Sequence, residues 1–373
     1  MGDRPVAPTP TVYKKLILEI IFKTTIIPEI NSMKTLVEFI RMAVEGKDLD
    51  EKEAGQAMQL IMDGEALPTQ IAALLTALRI KGETVGEITA FARVMRAKVT
   101  PVKSRVHPRV LDTCGTGGDG SGSFNISTAA AFVAAGAGVP VAKHGNRSVS
   151  SRCGSADVFK ELGVNIEAHP DSVCRCLDEA GICFIFAPLF HPAMKYAIGP
   201  RREIGIRTVF NILGPLTNPA GASCQLLGVY DPELCETLAE VLRHLGSSRA
   251  YVVHGHGHLD EVALSGPTRV AELKDGKVRT YEIKPADFGL EIQPVEAISG
   301  GDTVQNAQIM REVFGGKQGP YRDTVRLNAG MAISAFDDEL TIEQGVEKAT
   351  EAIDAGLAAE KLERLVNLSN RQE

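Results

Sequence analysis

Apolar residues recur at helical spacing from residue 33 onward. Leu36, Phe39, Ile40 and Ala43 form one stripe, and Ala54, Ala57, Met58, Ile61 and Met62 a second. Ile71, Leu74, Leu75 and Leu78 form a third, and Ile88, Phe91, Ala92 and Met95 a fourth. The punctuation agrees: Asp50 with Glu53 and Thr84 with Glu87 stand at capping-box spacing, Pro68 suits a first helical turn, and Gly64 and Gly82 fall where helices stop. Four amphipathic helices on short connections predict a small bundle over 33–97. From residue 98 short apolar runs alternate with helical stripes: strand 110–114, helix 127–136, strand 139–142, helices 155–162 and 171–180, strand 182–186. Prolines 188, 192, 200, 215 and 219 break the rhythm, which resumes with strand 224–230, helix 232–245 and strand 249–254. Arg269 to Lys274 and Lys277 to Ile283, joined by Asp275-Gly276, read as a hairpin, and the end is helical around 302–314, 321–335 and 341–364. The pattern predicts an α/β class: a small all-α bundle domain plus a larger α/β domain with a central, mostly parallel sheet.

The chemistry concentrates in 110–157. The run Val110 to Cys114 empties into Gly115-Thr116-Gly117-Gly118-Asp119-Gly120-Ser121-Gly122-Ser123-Phe124-Asn125-Ile126-Ser127-Thr128. Glycines at this density let successive backbone amides converge on an anion, and Ser127 and Thr128 put hydroxyls at the amino end of an alanine-rich helix. The next apolar run ends in Lys143-His144-Gly145-Asn146-Arg147, followed by a hydroxyl-rich stretch through Arg152 to Ser155. Strand, glycine loop, helix, strand and basic loop together point to a phosphate site at the carboxyl edge of a parallel sheet. Gly115, Gly117 and Gly120 also satisfy G-x-G-x-x-G, but the loop runs on through Gly122 before any helix and the next strand ends on Lys143, where NAD recognition wants an acid. NADP tolerates a base there, so a dinucleotide stays open, as does a turn that binds nothing. A Walker loop is excluded because no lysine follows Gly120.

Two later clusters carry alternatives. Asp260-Glu261 ends the run His254-Gly255-His256-Gly257-His258-Leu259. Adjacent acids after a strand are either a solvated turn or ligands for a hard cation such as Mg2+. Three histidines at alternate positions would share one face if extended and could then hold zinc. Arg201-Arg202 is a surface pair or a bidentate grip on a carboxylate.

At 373 residues, 44% hydrophobic and 23% charged, the chain has room for two domains with ordinary cores. A net charge of -7 disfavours a nucleic-acid partner. No apolar run approaches the roughly 20 residues that span a bilayer. Seven cysteines, an odd number without CxxC spacing, fit a reducing cytoplasm. Residues 1–32 stand outside both patterns and fit a secretory leader poorly; the expectation is an added segment ahead of Met33, apart from the core fold.

The blocks Gly115-Thr116-Gly117-Gly118-Asp119, Asn125-Ile126-Ser127-Thr128, Lys143 to Arg147, Gly154 to Asp157, Arg207 to Pro219, Asp260-Glu261 and Leu327 to Gly330 occur in this order. Together they resemble the anthranilate phosphoribosyltransferases, over roughly residues 33 to 358. The resemblance implies transfer of phosphoribose from 5-phosphoribosyl 1-pyrophosphate to anthranilate in tryptophan biosynthesis. It implies a phosphoribosyl pyrophosphate site of Gly115, Thr116, Gly117, Gly118, Asp119, Ser123, Asn125, Ser127, Thr128, Lys143 and Ser155. It implies an anthranilate site of Gly115, His144, Asn146, His191, Arg201, Gly214 and Pro215. Magnesium, as two ions brought with the pyrophosphate, falls to Ser127, Asp260 and Glu261. A cytoplasmic homodimer through the helical domain is also implied, as is a return of 187–211 to that domain between α/β segments 98–186 and 212–373. His258 departs from the family, which often has glycine there. A pyrimidine nucleoside phosphorylase and a non-catalytic nucleic-acid-binding relative are the rivals; the Lys143 to Arg147 block and Gly214-Pro215 favour the transferase over the first, and overall acidity argues against the second.

Overall fold

The computed structural model describes residues 34–147 and 153–371. The expectation for 1–32 falls outside them. From Leu36 on, the chain is one compact unit. It opens with α1 (Leu36–Val44), α2 (Glu51–Met62), α3 (Pro68–Lys81) and α4 (Val85–Ala97). Each expected stripe is buried, with Ile40 only partly so, and both expected capping boxes form: the Glu53 amide donates to Asp50 Oδ1 at 2.8 Å, and the Thr84 amide to Glu87 Oε2 at 2.8 Å.

The sheet is built from β1 (Leu111–Gly115), β2 (Val141–Gly145), β3 (Ile182–Phe186), β4 (Cys224–Gly228), β5 (Arg249–Gly255), β6 (Thr268–Lys274) and β7 (Lys277–Ile283), in the order β3-β2-β1-β4-β5-β6-β7. β3 through β5 in that order pair in parallel, and β6 and β7 close the edge antiparallel. β2 begins two residues later than expected because Pro140 has no amide to give the ladder, while its carbonyl still accepts from Leu111 at 2.9 Å. Asp275 and Gly276 turn the hairpin with φ of 52° and 69°.

Helices cover both faces. α5 (Ile126–Gly136) is buried except at half-buried Ser127 and Gly136, and its alanines let it lie close against the sheet. Beyond β2 come α6 (Ser155–Glu161), α7 (Pro170–Ala180), α8 (Ala187–Phe190), α9 (Lys195–Ile204), α10 (Phe210–Leu216) and α11 (Leu234–His244). α12 (Thr303–Phe314), α13 (Pro320–Phe336), α14 (Ile342–Asp354) and α15 (Leu357–Ser369) finish the chain. The single helix expected over 341–364 is two, because Gly356 turns left-handed at φ 72° between them. One apolar core joins α5, α13 and one sheet face; the other joins the bundle, α10, α11 and the opposite face. Ile212, Leu213 and Leu216 belong to the bundle's core, so the returning segment packs there beyond residue 211.

β1 is the switch point: the chain proceeds from it to β2 and β3 on one side, then places β4 on the other. A crevice at the carboxyl ends of β1 and β4 follows from that topology.

Candidate active site

The crevice is floored by strand ends that are glycine for steric reasons. A Cβ on Gly115 would sit 2.6 Å from Asp260 Oδ2, and one on Gly228 would overlap the Asp260 carbonyl. Beyond Gly115 the loop turns through left-handed Gly117, Gly118, Gly120 and Gly122, at φ of 68°, 72°, 75° and 66°. Thr116 ties the loop to β4: its amide donates to the Gly228 carbonyl at 2.9 Å, and its Oγ1 accepts from the Tyr230 amide at 3.1 Å. Asp119 Oδ1 accepts from the Ser121 amide at 3.1 Å, and Ser121 Oγ lies 3.1 Å from Ser123 Oγ. Asn125, Ser127 and Thr128 follow at the start of α5, with Thr128 buried.

The structure brings Asp260 and Glu261 into this loop. The Gly117 amide donates to Asp260 Oδ2 at 2.7 Å, the Ser127 amide to Glu261 Oε1 at 3.0 Å, and the Asp260 amide to Asp119 Oδ2 at 3.3 Å. Two loop amides expected to face an anion are therefore engaged by carboxylates. Burial first and the Asp119 charge second push Asp260 up to about 7. Burial and the charge of Asp260 push Glu261 well above the usual carboxylate range, against the pull of Lys143. Lys143 is itself buried beneath the loop, not at its rim; its Nζ donates to the Thr113 carbonyl and lies 3.5 Å from Ser127 Oγ.

Three clustered carboxylates against one buried lysine are oxygen donors whose charged forms burial and mutual repulsion disfavour, and a hard divalent cation is what would stabilise those forms. Among the described residues no group of three or more His, Cys, Asp or Glu side chains could hold a metal alone. The fit is to Mg2+, which keeps water and takes phosphate oxygens beside one or two carboxylates. The zinc alternative fails on its premise: residues 256–258 form a turn, with His258 at φ 64°. His254 Nδ1 donates to the Val229 carbonyl at 2.8 Å, and His256 Nδ1 lies 3.4 Å from Ser265 Oγ.

The second half of the crevice is lined by a histidine pair. His144 at the end of β2 and His191 after α8 are both buried, with Nε2 atoms 3.1 Å apart. Burial, the neighbouring ring and Lys143 hold His144 down to about 3, against its bond to the Gly214 backbone; burial holds His191 at about 4. Asn146 is exposed beside them; its carbonyl accepts from Ser155 Oγ at 3.3 Å. The Pro215 carbonyl accepts from Gln225 Nε2 at 2.7 Å. Arg201 on α9 lies over the Phe210 ring at 5.0 Å, and burial lowers its pKa. It makes no ion pair among the described residues, so its fork remains available to a carboxylate.

Four features escaped sequence reasoning. Arg207 donates to the Gly118 carbonyl and lies 4.1 Å over the Tyr230 ring, clamping the glycine loop. Buried Asp112 accepts from Asn218 Nδ2 at 2.8 Å and from the His144 amide at 3.3 Å, tying β1 to β2 under the pocket. Gly228 admits the Asp260 backbone, and Asn306 bonds Asn125. Only Arg207 and Asn218 stood in a recognisable block.

Residues 107–359 match the family model described as glycosyl transferase family, a/b domain, and residues 37–99 match glycosyl transferase family, helical bundle domain. Fold and site thus define a two-part glycosyl transferase. The anthranilate phosphoribosyltransferase of Moorella thermoacetica is 58% identical over 327 residues, 88% of this chain and 96% of its own length. The crystal structure of anthranilate phosphoribosyltransferase from Thermus thermophilus is similar at TM-score 0.85 and 45% identity, covering 89% of this chain and 99% of that one. The Saccharomyces cerevisiae enzyme in complex with PRPP and Mg is similar at TM-score 0.82 and 29% identity, covering 90% and 99%. The chain belongs to the anthranilate phosphoribosyltransferase family. Membership closes the dinucleotide reading of the glycine loop.

Proposed function

We propose that the chain transfers the phosphoribosyl group of 5-phosphoribosyl 1-pyrophosphate to the amine of anthranilate, giving N-(5-phosphoribosyl)anthranilate and pyrophosphate. The observation that carries this reading is the seating of Asp260 and Glu261 on the amides of Gly117 and Ser127, which joins an acid pair to a phosphate-type loop. Departure of pyrophosphate leaves positive charge on the ribose carbon and negative charge on the leaving oxygens, so the protein needs no covalent nucleophile. Its task is alignment and charge stabilisation.

Gly115, Thr116, Gly117, Gly118, Asp119, Ser123, Asn125, Ser127, Thr128, Lys143 and Ser155 bind the donor. Ser127, Asp260 and Glu261 hold Mg2+, as two ions arriving with the pyrophosphate, and Mg2+ when bound neutralises charge on the leaving group. His144, Asn146, His191, Gly214, Pro215 and Gly115 frame the acceptor, whose carboxylate Arg201 grips. The low basicity of both histidines keeps them uncharged at neutral pH, so they orient the acceptor without competing with Arg201 for its carboxylate.

A homodimer through the bundle is part of this reading, supported by Val44 at 71% and Ile80 at 81% exposure on α1 and α3. A cytoplasmic location is supported by seven cysteines, all of them thiols outside any disulfide. No helix among the described residues is long and apolar enough to cross a membrane. The test is Asp260→Asn with Glu261→Gln. Turnover is expected to collapse by at least about 100-fold while the fold persists, since neutral isosteres relieve buried charge; unchanged turnover and Mg2+ dependence would refute the assignment.

A further inference from the structure

The second half of the glycine loop is held from outside the site. The Phe124 amide donates to the Ile298 carbonyl at 3.2 Å, the Gly300 amide to the Gly122 carbonyl at 2.8 Å, and Ser123 bridges Ser299. The approach is too close for a side chain, since a Cβ on Gly300 would lie 2.8 Å from the Phe124 backbone. Tyr321 adds an edge contact to Phe124 at 5.1 Å and donates to the Ser299 carbonyl at 2.7 Å. Directly after this segment, Asn306 is buried in the first turn of α12.

Asn306 is the centre of a directed chain of hydrogen bonds. The Gly301 amide donates to Asn306 Oδ1 at 2.8 Å, Asn306 Nδ2 donates to Asn125 Oδ1 at 3.0 Å, and Asn125 Nδ2 donates to the Cys153 carbonyl at 3.3 Å. A backbone N–H at one end can only donate, and a backbone carbonyl at the other can only accept. The direction of both side-chain amides is therefore set by chemistry, although amide oxygen and nitrogen are nearly isosteric. Asn125 spends its carbonyl on Asn306 and retains a second amide hydrogen for a ligand oxygen. With the amide reversed, the loop would offer a lone pair to a phosphate.

We infer that Asn306 is a positioning residue for phosphoribosyl pyrophosphate: without touching the donor, it holds the Asn125 amide so that its N–H serves the phosphate loop. The inference rests on the proposed function, and turnover by the unsubstituted chain, measured alongside, separates failure of that reading from failure of this one. Asn306→Asp keeps the Gly301 bond but turns an acceptor toward Asn125 Oδ1, which forces the Asn125 amide to reverse. It is expected to raise KM for phosphoribosyl pyrophosphate about tenfold or more, leaving KM for anthranilate within about twofold. Asn306→Ala removes the restraint without reversing the amide and is expected to act in the same sense, less strongly. Introduced into Asn125→Ala, it is expected to add nothing, because its effect passes through Asn125. Equal shifts in both KM values, or additive effects of Asn125→Ala and Asn306→Ala, would overturn the inference. Should Asn306→Asp fail to fold by circular dichroism, the alanine cycle decides alone.

Discussion

Replacing Gly115 by alanine tests the coupling of loop and acid pair with the smallest change available. The residue does not need a left-handed backbone, so alanine brings no conformational strain of its own. Its Cβ would stand 2.6 Å from Asp260 Oδ2, against the 3.4 Å at which ordinary contact begins, so the carboxylate must retreat by 0.8 Å. Oδ2 is the oxygen that accepts from the Gly117 amide at 2.7 Å. A retreat away from the loop stretches that bond to about 3.5 Å, past the limit of a useful hydrogen bond. Loss of a bond to a carboxylate costs on the order of 1.5–3 kcal/mol. A displacement near 1 Å within a reacting constellation costs about 100-fold in rate. Gly115→Ala is therefore expected to lower kcat by roughly 100-fold and raise the Mg2+ concentration for half-maximal rate by about tenfold. Gly228→Ala, whose Cβ meets backbone instead of a movable carboxylate, should be more damaging. Gly199→Ala in α9 has no heavy atom within 4 Å of its Cβ and serves as the control. Steady-state rates over a Mg2+ titration, with thermal melts to confirm folding, provide the assay. Unchanged rate and Mg2+ dependence in folded Gly115→Ala would refute the reasoning.

Two further expectations concern the acceptor side. Arg201→Ala should raise KM for anthranilate far more than KM for phosphoribosyl pyrophosphate, and equal effects would contradict the grip on the carboxylate. The His144 and His191 pair should make stability fall in acid. Both pKa values, about 3 and about 4, lie below the ordinary 6.5, so the unfolded chain binds protons first. Their contribution is complete above pH 6.5 and is lost as pH falls toward those values, on the order of 2 kcal/mol per histidine by pH 5. Denaturant unfolding at pH 5 and 7.5 should show a smaller difference for His191→Asn than for the parent chain. An identical difference would show that these imidazoles do not set the slope.

Much of the molecule is written locally. The bundle was readable because helical spacing, capping pairs and stop glycines agree residue by residue, as at Asp50, Glu53 and Gly64. The phosphate loop was readable because five glycines in eight residues have no packing purpose. Asp260-Glu261 became legible only once a phosphate loop was assumed, since adjacent acids alone suit any turn. What stayed hidden depends on residues far apart in the chain. Gly228 looks like any strand-ending glycine until the Asp260 backbone crosses it. Asn306, 181 residues from Asn125, sits in an ordinary helix and carries no local mark. The break at Gly356 was missed because apolar spacing continues on both sides of it. That Lys143 is buried under the loop is also invisible in a stretch whose following residues are polar; β2 carries it there.

The central claim is that this crevice moves phosphoribose from a pyrophosphate-bearing donor to an aromatic amine, with pyrophosphate released and Asp260 and Glu261 as the residues that would hold a divalent cation. The most direct measurement follows the fluorescence of anthranilate with purified full-length chain, adding phosphoribosyl pyrophosphate and Mg2+ separately and together, and identifying the product by mass. Loss of fluorescence only when both are present, with one phosphoribosyl group added to the amine and pyrophosphate released, is the expected result. Consumption of anthranilate without Mg2+, or none with both present, would contradict the account.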